Sequence, residues 1–98
     1  MEGILESPNA EEGAAVLELA AIGLGPVAVP GGEAYASETG NVTRVVIVLR
    51  FSGPIRFGVT LPDGVAAPQV RVIEVAAPNN EIRTSLERYR VSYRRPEQ

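Results

Sequence analysis

Short runs of alternating apolar and polar residues, separated by turn residues, fill most of the chain after residue 43. From Ile55 to Leu61 every second residue is apolar, which is the period of a strand with one buried face. Pro62-Asp63-Gly64 ends this run, because proline fixes φ and glycine accepts a positive φ. Residues 87–94 alternate in the same way. The pattern predicts a strand at each run.

The run from Thr43 to Phe51 (TRVVIVLRF) is apolar at consecutive positions rather than at alternate ones. Its length and its Val and Ile content favour a strand over a helix, and they indicate burial on both faces. Gln69 to Val75 predicts a further strand, in which the alternation slips at Ile73. Such a slip is typical of a β-bulge.

Residues 9–22 allow two interpretations. Asn9 followed by Glu12 fits a helix N-cap with its capping-box partner, and the alanine-rich segment could form a short helix. Gly13, however, would lie inside that helix at a cost of about 1 kcal/mol, and Val16-Leu17-Glu18-Leu19 also fits a strand. We favour the strand and keep the helix as the alternative.

Leu24 to Val29 and Glu33 to Thr39 complete the set of predicted strands, and Gly40-Asn41 forms the turn that follows them. Short strands with closely spaced turns predict an all-β fold, an antiparallel β-sandwich of about six or seven strands, immunoglobulin-like in broad architecture. The alternative is an α+β fold with a helix at 9–22 packed on an antiparallel sheet. We expect a single domain over residues 9–95, with flexible tails at 1–8 and 96–98.

The apolar members of the predicted strands define the expected core. Packing them between two sheets removes apolar surface from water, which is the main favourable contribution to folding. The predicted core comprises Val45, Ile47, Leu49, Ile55, Phe57, Val59, Leu61, Val70, Val72, Tyr89, Val91 and Tyr93.

Two stretches of sequence, each centred on a turn, have a recognisable pattern. Val29 to Tyr35 lies within VAVPGGEAY, ahead of an apolar strand, and Phe57 to Val65 is FGVTLPDGV. This pattern resembles that of bacterial immunoglobulin-like adhesion or cell-surface modules. In those modules a similar turn precedes strands, and an LPxGV turn ends a strand. The Cys and Trp of antibody domains have no counterpart in this chain. The resemblance implies a sandwich architecture and identifies no functional residue.

Composition narrows the chemistry that the chain can perform. It contains no His, Cys, Lys or Trp, and Asp63 is its only aspartate. Those residue types supply most catalytic bases, nucleophiles and metal ligands. A glycosidase-like pair of glutamates would also need a sugar-binding cleft, for which a small chain without Trp has little material. We therefore expect no enzymatic activity, no metal site and no cofactor.

Charge is distributed unevenly along the chain. Residues 1–43 contain seven Glu and no basic residue, a charge of −7, whereas residues 44–98 contain all nine Arg against Asp63 and four Glu, a charge of +4, which sums to the net −3. Either the two segments pair in the fold, or a basic face is offered to an acidic partner. Pairing between neighbouring strands is the simpler interpretation.

Five arginines form the candidate binding site. At outward positions on neighbouring strands they would make a guanidinium patch suited to carboxylate or phosphate groups. Nucleic acid is disfavoured as a ligand, because the aromatic side chains face the predicted core and the net charge is −3. The candidate residues are Arg56, Arg71, Arg88, Arg90 and Arg94.

We expect a non-catalytic protein interaction or assembly module that binds a protein partner or associates with itself. The missing catalytic residues, the small size and the charge polarity motivate this hypothesis, and edge strands are ready templates for pairing with another chain. The alternative function is binding of an acidic ligand (a polyanion, an acidic glycan or nucleic acid) through the arginine residues. The sequence shows no signal-peptide pattern, no apolar run of membrane-span length and no cysteine, which favours the cytoplasm.

Overall fold

The structure, a computed structural model, describes residues 1–9, 11–21, 23–62, 64 and 66–94. These residues form eight strands and no helix. The strands are β1 (Glu2–Glu6), β2 (Glu12–Ala20), β3 (Val27–Ala28), β4 (Gly32–Thr39), β5 (Val42–Gly53), β6 (Arg56–Val59), β7 (Gln69–Ala76) and β8 (Arg90–Arg94).

The strands form two antiparallel sheets that enclose one core. Sheet A has the order β3-β6-β1-β8, and sheet B has the order β4-β5-β2-β7. The predicted all-β antiparallel sandwich is confirmed. In immunoglobulin constant domains the first two strands are neighbours in one sheet, whereas here β1 and β2 lie in opposite sheets. The likeness to that fold is therefore one of two-layer architecture, and the strand order is different.

Residues of β2 explain why the helix at 9–22 is the wrong interpretation. Ala15, Leu17 and Leu19 are buried in the core, whereas Val16 and Glu18 between them are only partly buried. This period of two places all three buried side chains on one face of a strand, while a helix would spread them around its circumference. β2 lies between β5 and β7, so it is an inner strand of sheet B.

The first strand occupies a segment that the sequence predicts to be a flexible tail. β1 pairs with β6 on one side and with β8 on the other. Gly3 lies so close to the Phe57 ring that a Cβ at this position would overlap it. The prediction of a tail over residues 1–8 is therefore wrong for Glu2–Glu6: glycine interrupts the apolar alternation, although a glycine within a strand often marks such a close approach. The predicted tail at 96–98 lies outside the described residues.

The long strand β5 is apolar on both faces but buried on one. Val45 and Ile47 are fully buried, whereas Val48 on the opposite face is 43% exposed. The prediction of burial on both faces is wrong, because the described chain forms two layers and leaves the outer face of sheet B open to solvent.

A predicted turn and a predicted β-bulge are both confirmed. Gly40 has a φ of 62° and begins the two-residue turn between β4 and β5, a geometry in which glycine avoids the strain that a Cβ would introduce. In β7 the register jumps, so that Val16 pairs with Glu74 while the next residue, Leu17, pairs with Val72. Ile73 is left over as the bulged residue.

The predicted core is confirmed for the residues at the centre of the sandwich. Val45, Ile47, Ile55, Phe57, Val59 and Tyr89 are buried, and the other predicted members are partly buried against them. Phe57 makes an edge-to-face contact with Tyr93, with ring centroids 6.2 Å apart. The sequence prediction omitted buried residues of β1, β2 and the end of β7, namely Leu5, Ala15, Leu17, Leu19, Val75 and Ala77.

Candidate functional site

The five candidate arginines do not share one face. Arg56 on β6 and Arg90 and Arg94 on β8 lie in sheet A, with β1 between the two strands. Arg71 lies on β7 in sheet B, and Arg88 lies in the turn that precedes β8. The structure therefore divides the predicted guanidinium patch between the two sheets and a loop.

Glutamates of β1 neutralise the arginines of β8. Arg90 Nε donates to Glu6 Oε2 at 2.8 Å, and Arg94 Nη2 donates to Glu2 Oε1 at 2.8 Å. These pairs are solvent-exposed, so each contributes only ~0–1 kcal/mol to stability. Their larger consequence is electrostatic, because the acidic start of the chain meets its basic end on neighbouring strands, as the pairing interpretation of the charge distribution predicts.

A cleft of about 430 Å³ lies beside this pair of strands, where the chain enters β8. Arg88 and Arg90 lie on its wall together with Glu6 and Glu87. Among the described residues Arg88 makes no ion pair, whereas Arg90 is held by Glu6. Both signs of charge line the cleft, so its wall does not form a purely basic surface.

Beside this cleft lies a buried carboxylate, Glu12, which only the alternative, helical interpretation of residues 9–22 placed in a capping box. Glu12 is 1% exposed. Its Oε1 accepts hydrogen bonds from Arg83 Nε at 2.9 Å and Arg83 Nη2 at 2.7 Å. Its Oε2 accepts a hydrogen bond from Ser7 Oγ at 2.7 Å and a short one from the Tyr89 hydroxyl. Asn9 Nδ2 donates to that same hydroxyl at 2.9 Å.

These donors decide the charge of Glu12. Burial by itself raises the pKa of the carboxyl group, but the hydrogen bonds from Tyr89, Ser7 and Arg83 together lower the pKa below its ordinary value of 4.5. Glu12 is therefore a carboxylate at neutral pH. It ties the segment between β1 and β2 to Arg83 and Tyr89, which lie 71 and 77 positions further along the chain, so we assign it a structural role.

The outer face of sheet B differs from an ordinary solvated strand face because it exposes several large apolar side chains. Tyr35 is 59% exposed and Val48 is 43% exposed, and Ile82, which bridges to the edge of β7, is 55% exposed. A hollow of about 180 Å³ lies on the same face, beside Ile82, and its lining includes Val16, Val46 and Ala76. We call this surface the sheet B patch; it comprises Ala14, Val16, Tyr35, Val46, Val48, Ala76 and Ile82.

A row of charged residues borders the sheet B patch. Arg44 on β5, Glu18 on β2 and Arg71 on β7 are paired in register across the three strands. Arg44 Nη2 donates to Glu18 Oε2 at 2.8 Å, while Arg71 makes no ion pair among the described residues. The face thus combines an apolar area with one row of alternating charge, while Glu33 on β4 and Glu74 on β7 flank the apolar area on the outer strands. Sequence reasoning missed it because Val46 and Val48 have the residue type of a core.

The described part of the chain contains neither a cluster of metal-ligating side chains nor a helix that could span a membrane. Comparison with protein-family models, with curated proteins and with solved structures finds no match for this chain.

Proposed function

We propose that this protein is a non-catalytic protein interaction or assembly module that binds through the outer face of sheet B. The observation that carries the proposal is the sheet B patch, in which β5 presents valines to solvent instead of the polar residues of an ordinary half-exposed strand. Scattered apolar residues are normal on a protein surface, whereas contiguous ones mark sites of interaction.

The open edge of sheet B supports the same proposal. In the described chain β4 pairs with β5 alone, so the outward backbone groups of Gly32–Thr39 have no strand beside them. This edge contains no proline, although Glu33 and Glu38 place charge on it. A strand edge adjoining an apolar face allows a partner to contact both surfaces together.

Photo-crosslinking from the patch tests the proposed function. A benzophenone amino acid replaces Val48 in the chain, which is then irradiated in the cells that produce it. We expect a covalent adduct with another polypeptide, because Val48 lies at the centre of the proposed contact surface. The matched control carries the same amino acid at Ser92, which is exposed on the outer face of sheet A. Adducts at Ser92 alone, or at neither position, would contradict the proposal.

An acidic ligand is the second candidate, and the cleft beside Arg88 is the observation that favours it. If this cleft binds polyanions, the double variant R88A/R90A will leave a heparin column at a lower salt concentration than R44A/R71A. Both variants lose two positive charges, but only the first loses them from the cleft. Equal retention of the two variants would remove this candidate.

A further inference from the structure

We infer that the partner of the sheet B patch is a second copy of this chain, related to the first by a two-fold axis that runs along the strands between β5 and β2. The inference rests on the proposed function, since it identifies the partner of the same surface. Two copies would then meet face to face, as the two sheets of a sandwich do.

The strand register determines which residues would meet. Residues paired across neighbouring strands lie at the same height in the sheet. Rotation by 180° about an axis along the strands keeps that height and exchanges the two sides of the sheet. In such a dimer β5 of each copy therefore faces β2 of the other, and β4 faces β7.

Charge complementarity is the main argument for this pairing. Arg44 and Glu18 lie at one height on the two strands that flank the axis. The rotation places Arg44 of each copy over Glu18 of the other, so that the two existing ion pairs become a square of four alternating charges. Like charges would meet if β5 faced β5, which the position of the axis avoids. Opposite charges facing each other favour one partner and one register.

The apolar rows are also self-complementary. Val46 would face Val16 of the other copy, and Val48 would face Ala14. The second pairing opposes a larger side chain to a smaller one, which lets two flat faces interdigitate. On the outer strands Tyr35, whose hydroxyl donates to Glu33 of its own copy, would face Glu74 of the other copy. No two residues of like charge would meet in these rows.

The size of the face predicts a weak dimer. Four strands about 4.8 Å apart and about eight residues long, at about 3.3 Å per residue, cover roughly 500 Å². Two such faces bury roughly 1,000 Å², the lower end of the range for specific interfaces. Self-association is therefore expected at high protein concentration and low salt rather than in dilute solution.

Charge reversal combined with sedimentation equilibrium tests the inference. The purified chain is expected to dimerise between about 10 µM and about 1 mM, a range suited to a weak interface. Glu18→Arg and Arg44→Glu should each weaken the dimer at least about tenfold, because like charges then face each other across the axis. An equal mixture of these two variants should dimerise again, since the introduced charges of one copy face opposite charges in the other.

Recovery in the mixture separates a true interface from a folding defect, because a misfolded variant would not regain a partner. The matched control reverses an exposed pair of sheet A that lies outside the cleft, with Glu2→Arg and Arg94→Glu, and should leave the dissociation constant unchanged. Equal weakening by both sets of variants, or no recovery in the mixture, would overturn the inference. The inference would also be overturned if the chain remains monomeric at about 1 mM, the highest concentration in the range expected for such a weak dimer. In that case adducts of Val48 with a different protein would leave the proposed function standing.

Discussion

Replacement of Glu12 by alanine lowers the free energy of unfolding by about 3–5 kcal/mol, because it leaves the buried Tyr89 hydroxyl and the partly buried Arg83 guanidinium without their acceptor. The loss is large because Arg83, Tyr89 and Ser7 all direct donors at this carboxylate. Urea denaturation at neutral pH, monitored by circular dichroism, measures this loss of stability. The total free energy of unfolding of a small domain is about 5–15 kcal/mol, so the Glu12→Ala variant is close to the limit at which the chain still folds.

Two further variants make this prediction decisive. Tyr89→Phe removes a single donor and should cost about 1.5–3 kcal/mol, which leaves a folded protein to measure. Glu18→Ala removes a carboxylate from the exposed pair with Arg44 and should cost less than about 1 kcal/mol. Equal losses in Glu12→Ala and Glu18→Ala would contradict the structural role of the buried carboxylate.

The lowered pKa of Glu12 adds a pH dependence of known sign. Because the pKa is lower in the folded chain than in the unfolded chain, the stabilisation is complete above the unfolded pKa and is lost as the pH falls through the folded pKa. Between about pH 5 and about pH 2, the free energy of unfolding should therefore fall less steeply in Glu12→Gln than in the natural chain. Parallel curves would contradict this assignment.

Replacement of Gly3 by valine lowers the free energy of unfolding by about 3 kcal/mol, the upper part of the usual range for overpacking a core. Phe57 is fully buried and cannot move aside, because it is enclosed by core residues of both sheets and contacts Tyr93. In the background of Phe57→Leu, the same substitution should cost less, since the smaller side chain no longer fills the space over Gly3. Thermal or urea unfolding of the natural chain, the two single variants and the double variant gives the coupling energy between positions 3 and 57.

Gly58 offers the matched control for this prediction. It lies on β6 beside Phe57, but a Cβ there would contact only the carbonyl oxygen of Ala28, at an ordinary 3.9 Å. Gly58→Val should therefore change the free energy of unfolding by less than about 0.5 kcal/mol, as at an unconstrained surface position. Similar losses at Gly3 and Gly58, or the absence of coupling with Phe57, would show that the close contact between β1 and β6 is not the cause.

The strands that could be predicted are those in which the apolar alternation extends over several residues, even where it slips once. The run from Ile55 to Leu61 contains β6, and the slip at Ile73 marks the bulge of β7. β1 could not be predicted in this way, since Gly3 contributes no apolar side chain to the pattern. The apolar run of β5 was wrongly predicted to be buried on both faces, because residue type alone does not tell whether a third layer covers the strand.

The candidate sites depended on topology, which the local sequence does not contain. Arg90 and Arg94 were predicted to point outward, and they do, but no local pattern places β1 beside β8 to neutralise them. Glu12 fits a capping box by spacing, yet its partners Arg83 and Tyr89 lie 71 and 77 positions away in the chain. Only the paired sheets show that these groups meet.

Nuclear magnetic resonance of the ¹⁵N-labelled chain at increasing concentration will show which strands take part in self-association. If two copies meet through the sheet B patch, the backbone amides of β5 and β2 will shift as the concentration rises from about 20 µM to about 1 mM, a range that brackets a weak dimer, while those of β1 and β8 stay unchanged. Shifts confined to β1 and β8, or spectra that do not change with concentration, would contradict the account.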